Sequence, residues 1–304
     1  MSGQWRRRLD DLFFPVVPAE RLGAVRVFVG AFTLLFLVIR GVNLAEYGSF
    51  PAHRFQPVGV VSLLDAPLSA GMVWALVAAT VFTAIPFALG WRFRVFGPLF
   101  AALLWWTTTY RQSWGMVFHT ENLMVLYVAV LSLTHSADAY AMDARERSAP
   151  APHRRYGWPL KLMAVLLVVS YVLAGVAKLR ISGWEWMDGE VIRVQIAYDN
   201  VRKIELGAMH APLGAWLVQF GWLFPILGTA SLLLEIGAPF ALLGRRLAWI
   251  WSIATWFFHL GVLVMMDIFF AFPLSGCAFI PLFKAEVALE RVRRTRWVQA
   301  FGGR

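Results

Sequence analysis

Charge is scarce in this chain. Of its 304 residues only 15% are Asp, Glu, Lys or Arg, while 59% are hydrophobic; soluble domains carry about 25% charged residues. That shortage excludes an ordinary soluble domain and predicts an integral membrane protein. Cysteine is nearly absent, and Cys277 alone rules out an internal disulfide and a cysteine metal cluster. Redox chemistry would then have to come from a bound cofactor. No His-Glu-x-x-His or comparable spacing occurs, so no metal site is expected. There is no internal repeat, and the polar stretch 135–158 is too short to bury a core of its own. Nor is a cleavable leader expected: Arg6, Arg7 and Arg8 are followed by Asp10, Asp11, Pro15 and Pro18, and the first apolar run is long enough to remain as an anchor.

What is abundant is apolar length. A helix needs about 20 residues to cross roughly 30 Å of hydrocarbon, and apolar runs fall near 22–40, 70–90, 96–111, 115–134, 159–179, 222–243, 247–266 and 268–283. The expected fold is an all-α, polytopic transmembrane bundle of about eight spans. The third and eighth runs are short, and Pro273 and Gly276 in the last leave room for a re-entrant segment. Residues 1–20 form an interfacial segment in this scheme, 21–283 the transmembrane domain and 284–304 a basic cytoplasmic tail. Nineteen of the 28 Lys and Arg collect on one face and seven on the other, with Arg26 and Lys178 inside spans. This asymmetry places both termini in the cytoplasm of a multi-pass plasma (inner) membrane protein. The net charge of +10 is thus a topology signal, and no nucleic-acid partner is expected. The fifteen Trp suit extensive contact with the lipid interface.

Polar groups within these runs need an explanation. Lys178 ends the apolar stretch Leu162 to Leu179, where an amine costs about 2.5–3.5 kcal/mol at the centre of a membrane helix. His119, with Asn122 three residues on and Trp114 before it, heads the fourth run, and His259 lies in the seventh. The topology puts Lys178, His119 and His259 within roughly 10 Å of the outer boundary. A lysine and two histidines in one dry layer have the makings of an acid/base site, because burial favours the neutral amine. Lys178 could instead snorkel to the headgroups, and each histidine could be a packing residue. Glu235 interrupts the sixth run nearer the inner half, where it must be protonated, paired or wet, and Arg26 in the first run is one partner for it. Trp114 and Trp186 also fit plain interfacial anchors.

Six stretches of the chain carry a family resemblance. Tyr171-Val172-Leu173-Ala174-Gly175-Val176-Ala177-Lys178-Leu179 resembles the Tyr-x-x-Ala-Gly-x-x-Lys-Leu element of the horizontally transferred transmembrane domain (HTTM) proteins, which include the vitamin K-dependent gamma-carboxylases. Trp186-Met187-Asp188-Gly189 is similar to the Trp-x-x-Gly that follows it. Leu232 to Ala238, around Glu235, and Phe257-Phe258-His259 resemble an acidic and a histidine segment of the carboxylases. Trp114 to Asn122, and Leu22 to Phe28 around Arg26, match more loosely.

The resemblance implies a carboxylase-like lyase. Lys178 would be the base toward reduced vitamin K or another quinol, with His119 and His259 orienting the quinol or stabilising reacting oxyanions. Trp114, Asn122, Trp186, Glu235 and Arg26 would line the cofactor site. Membrane lipids, a lipophilic quinone and a peptide or protein substrate are the expected partners, and the site would face the external side. Animal carboxylases have Lys-Lys where this chain has Ala177-Lys178, and they carry a large lumenal region that binds propeptides. The expected acceptor here is accordingly an exported peptide or a small substrate. The opposing expectation is a non-catalytic quinone- or lipid-binding factor for peptide export, maturation or immunity, and a transporter comes third.

Overall fold

The computed structural model describes residues 10–146, 148 and 150–294. Every regular element in that range is helical; Val17 and His153 form an isolated antiparallel bridge. The predicted interfacial start and basic tail lie partly outside the described residues. The chain makes two compact units. One comprises residues up to Met163 together with those from Phe283 onward, and the other Ala164–Leu282.

The first unit is built on α1 (Ala19–Glu46), α2 (Ala70–Leu89), α3 (Phe93–Gln112), α4 (Asn122–Ser132), the start of α5 (Arg154–Ser182) and, after the second unit, α12 (Ala285–Arg294). Helix α1 buries Leu22, Val25, Arg26, Val29 and Thr33, at helical spacing, and exposes Leu35, Val38, Ile39 and Val42 on a face that suits lipid. Its close fit to α2 depends on Gly30, where a Cβ would lie 2.9 Å from Ala88 Cα. Ser69 caps α2, accepting from Met72 N, and left-handed Gly90 ends it. The N-terminus of α3 is capped from 50 residues away: both Asp143 carboxylate oxygens accept, from Arg92 N and Phe93 N, at 2.9 Å each. Arg21 clamps α12 to α1 through Glu286 at 2.8 Å.

The second unit holds the rest of α5, then α6 (Glu185–Asp188), α7 (Glu190–Glu205), α8 (Pro212–Leu217), α9 (Leu223–Ile236), α10 (Arg245–Met266) and α11 (Ala271–Leu274). Gly189, at φ 81°, brings α6 against α9: a Cβ there would fall 2.1 Å from Phe224 C, and one on Gly228 2.3 Å from the Trp186 carbonyl. Asn200 of α7 ties two distant strands of backbone, donating to Met265 O at 3.3 Å and accepting from Ala211 N at 2.7 Å.

Among the described residues, four stretches are long and apolar enough to cross a membrane: Ala19–Ser49, Ala70–Leu89, Arg154–Ser182 and Arg245–Met266. Together with the shorter apolar helices Asn122–Ser132 and Leu223–Ile236 they make this a membrane protein. Run 96–111 lies within the unbroken helix α3, whose end Thr107-Thr108-Thr109-Tyr110-Arg111-Gln112 is polar; the other three runs are broken, which is why counting runs gives more spans than long helices. Run 115–134 becomes helical only at Asn122, and run 222–243 stops at Ile236 before the 3-10 turn Ala238–Leu242 around Pro239. Run 268–283 is split into α11 and the 3-10 segment Cys277–Leu282, as Pro273, Gly276 and Pro281 demand.

Candidate functional site

Lys178 projects from α5 one turn before its end, a position where a cation faces the unpaired carbonyls favourably. Glu235 is the penultimate residue of α9, where the same dipole disfavours an anion. The two meet: Lys178 Nζ donates to Glu235 Oε1 at 2.6 Å, with the side chains 18% and 4% exposed. The amine is thus paired and largely covered by protein rather than free in solvent. Nζ also lies 4.8 Å from the Trp186 ring centroid and 5.5 Å from that of Phe258, so two aromatic faces help replace its hydration.

The supports of this pair are specific. Gly175, one turn before Lys178, lets α5 approach α9 so closely that a Cβ there would sit 3.1 Å from Glu235 Cβ and 2.8 Å from Ile236 Cδ1. Trp186 Nε1 donates to Ser231 Oγ at 3.0 Å, which orients the indole, and Ser231 Oγ donates to Gly228 O at 2.9 Å. Glu235 Oε2 is buried and has no hydrogen-bond partner among the described residues. One acceptor of the pair is therefore open to an incoming donor.

A second polar pair lies in the same unit. Tyr171 Oη and His259 Nε2 are 2.6 Å apart and buried; either can donate, according to the imidazole tautomer. Tyr171 is seven residues before Lys178, on the same face of α5. His259 is ringed by Phe258 and Phe270, at centroid distances of 5.2 and 4.9 Å, and Tyr171 packs edge-on to Trp251 at 5.1 Å. Trp251 Nε1 in turn donates to Leu234 O at 2.9 Å, next to Glu235. Neither Tyr171 nor Ser231 was singled out as a site residue in the sequence, although the i, i+7 spacing of Tyr171 and Lys178 was readable.

Other expectations need correction. Arg26 is not the partner of Glu235. Fully buried, it donates from Nε to Ser136 O (3.1 Å), from Nη1 to Phe87 O (3.0 Å) and Ala88 O (2.5 Å), and from Nη2 to Tyr140 O (2.5 Å). It caps the carbonyl end of α2 and fixes the segment after α4, a structural task. Nor is Glu235 in a deeper layer than Lys178. Because α9 starts alongside α6, beyond the end of α5, its last turn comes level with the amine.

His119, Trp114 and Asn122 belong to the first unit. His119 and Asn122 do not share a helix face, since α4 begins only at Asn122 and residues 113–121 form a loop. The loop is held by Gln112, which bonds Phe118 N and Phe118 O, and by Arg111, which pairs with buried Glu121 at 2.6 Å. His119 is exposed there, and its carbonyl accepts from Asn122 N at 3.2 Å. Trp114 packs among Tyr47, Phe50, Phe55 and Tyr110, with centroid distances between 5.1 and 6.5 Å. No group of three His, Cys, Asp or Glu able to hold a metal occurs among the described residues.

The family model for the HTTM domain matches residues 14–286. The chain belongs to the HTTM family. It is thus a membrane protein of the carboxylase-related family, and Lys178, Glu235, Tyr171 and His259 all lie in the matched stretch of this HTTM protein. No curated protein and no solved structure matches the chain.

Proposed function

We propose that this HTTM protein is a membrane enzyme whose second unit moves a proton through Lys178 and Glu235 in a carboxylase-like, quinol-coupled reaction. The observation that carries the reading is the 2.6 Å contact of Lys178 Nζ with Glu235 Oε1, beside an Oε2 that has no partner. An ammonium–carboxylate pair and an amine–carboxylic acid pair differ only in the place of one proton along that line. In a setting of Trp186 and Phe258 rings, with little water to favour the charged form, the exchange is accessible. Lys178 then acts as the base, and Glu235 takes the proton on or returns it. The free carboxylate oxygen suits a hydroxyl donor, and the aromatic faces suit a flat ring stacked against them, so the residues present fit a reduced naphthoquinone.

Such a quinol, when bound, supplies the oxidation: with dioxygen it gives epoxide and water, while a substrate C–H bond gains carbon dioxide as a carboxyl group. Trp186 and Phe258 would hold the ring, and the Tyr171–His259 pair would steady the polar edge of the site. On the cation asymmetry, the site faces the external side of the plasma membrane, and the acceptor is an exported peptide or a small molecule.

Quinol epoxidation by the full chain in lipid nanodiscs tests this. Wild type is expected to turn over, and Lys178→Ala to lose about 10²–10⁴-fold in kcat, with melting temperatures checking that each variant is folded. Folded wild type with no turnover would overturn the reading, as would a Lys178→Ala variant that keeps its rate. Wild type that binds quinol without turning it over would favour instead a non-catalytic quinone-binding factor, which the same aromatic faces could serve.

A further inference from the structure

The first unit contains a cleft of about 580 Å³, bounded by the start of α1, the end of α2, residues 138–145 and α12. Its apolar lining includes Val27, Leu89, Met142 and Leu289. Its rim carries Glu20, Arg145 and Arg293, charges of both signs. Asp138 also borders the cleft, but its carboxylate is engaged by Tyr156 Oη at 2.7 Å and Arg155 at 3.3 Å. Glu20 and Arg145 make no side-chain hydrogen bond or ion pair among the described residues, and Arg293 lies over the Tyr140 ring at 5.4 Å.

The wall is built for rigidity. Tyr140 holds a left-handed backbone at φ 51°, unusual for a residue with a side chain. That conformation is secured from both sides: Arg26 holds the Tyr140 carbonyl, and Tyr140 Oη donates to Glu290 of α12 at 3.3 Å. A strained residue kept in place by a fully buried arginine is a feature found where a site must keep its shape.

We propose that this cleft binds a phospholipid with a phosphoethanolamine headgroup. The guanidinium groups of Arg145 and Arg293 take the phosphate oxygens, for which their geometry is suited. Glu20 takes the primary amine. A quaternary ammonium would need aromatic faces around it, and the one ring at the rim, Tyr140, already carries Arg293. A purely anionic headgroup would leave Glu20 without a partner and bring like charge against it. The apolar tail has a track of its own: Phe82, Ile85 and Leu89 are exposed, follow one another at spacings of three and four on one face of α2, and end in the cleft. Charge of both signs at the rim and a greasy stripe leading to it match a lipid, not a soluble metabolite.

Native mass spectrometry of the full chain, offered phosphatidylethanolamine, phosphatidylcholine and phosphatidylglycerol with identical acyl chains, tests the site. The ethanolamine lipid is expected to be retained where the other two are stripped. Arg145→Ala with Arg293→Ala should lower its retention by about tenfold or more. Glu20→Lys should reverse the preference toward phosphatidylglycerol, a gain that misfolding cannot produce. Equal retention of the three lipids by wild type, a wild-type preference for phosphatidylglycerol, or unchanged selectivity in Glu20→Lys would each overturn the proposal.

Discussion

Single side chains in this protein matter through the partners they leave behind. Lys178 and Glu235 illustrate the asymmetry, being a buried pair at 2.6 Å. Glu235→Leu strands an ammonium among Trp186 and Phe258, and removing one partner of a buried pair costs about 3–5 kcal/mol. Lys178→Met combined with Glu235→Leu removes both charges and should be nearly neutral for stability, although inactive. Thermal unfolding in detergent of the single and double variants measures this; a double variant as unstable as Glu235→Leu would refute the argument. Arg26 shows the same logic with carbonyls in place of a carboxylate. That Lys178 and Glu235 are functional candidates was readable from their places in apolar runs, because charge in such a run is costly wherever it points. That they are each other's partner was not, since nothing in the spacing of 57 residues carries it.

Elements are positioned here by glycine where backbones touch. At Gly189 the positive φ and the approach of Phe224 coincide, so Gly189→Ala meets both conformational and steric resistance. It is expected to cost about 1–3 kcal/mol or more and to weaken proton transfer, because α6 carries Trp186 to Lys178. Melting temperature and epoxidation rate, measured together, check it; a variant with both unchanged would show that α6 need not sit where it does. Gly175 is a milder case, since its nearest neighbour is the movable tip of Ile236. The Tyr-x-x-Ala-Gly-x-x-Lys-Leu element thus reads as one device: Tyr171 for the imidazole, Gly175 for the helix approach, Lys178 for the carboxylate. Where helices stop was harder to read. Apolar runs 115–134, 222–243 and 268–283 look continuous by hydropathy, yet glycine, proline and a capping loop divide them.

At the scale of the whole molecule, the cation asymmetry makes a topological prediction. Residue 210 is expected outside the cell and residue 145 inside. With buried Cys277 replaced by Ser, His210→Cys should react with a membrane-impermeant maleimide in intact cells, and Arg145→Cys only after lysis. The reverse pattern would turn the protein over and place the Lys178 site on the opposite face. Each of the two units has its own polar centre: Lys178–Glu235 and Tyr171–His259 in one, the Arg26 clamp and the Arg111–Glu121 pair in the other.

The sequence by itself determined membrane residence, the helical class, the family likeness and the identity of the costly polar residues, because each of these depends on additive or local properties of the chain. Tertiary structure alone decided which charges pair. Glu235 reaches Lys178 because α9 begins alongside α6 and because Gly175 admits its backbone, while Arg26 is drawn instead to the unpaired carbonyls that end α2. Pairing depends on axial offset and on the distance between helices, and neither is written at any one position.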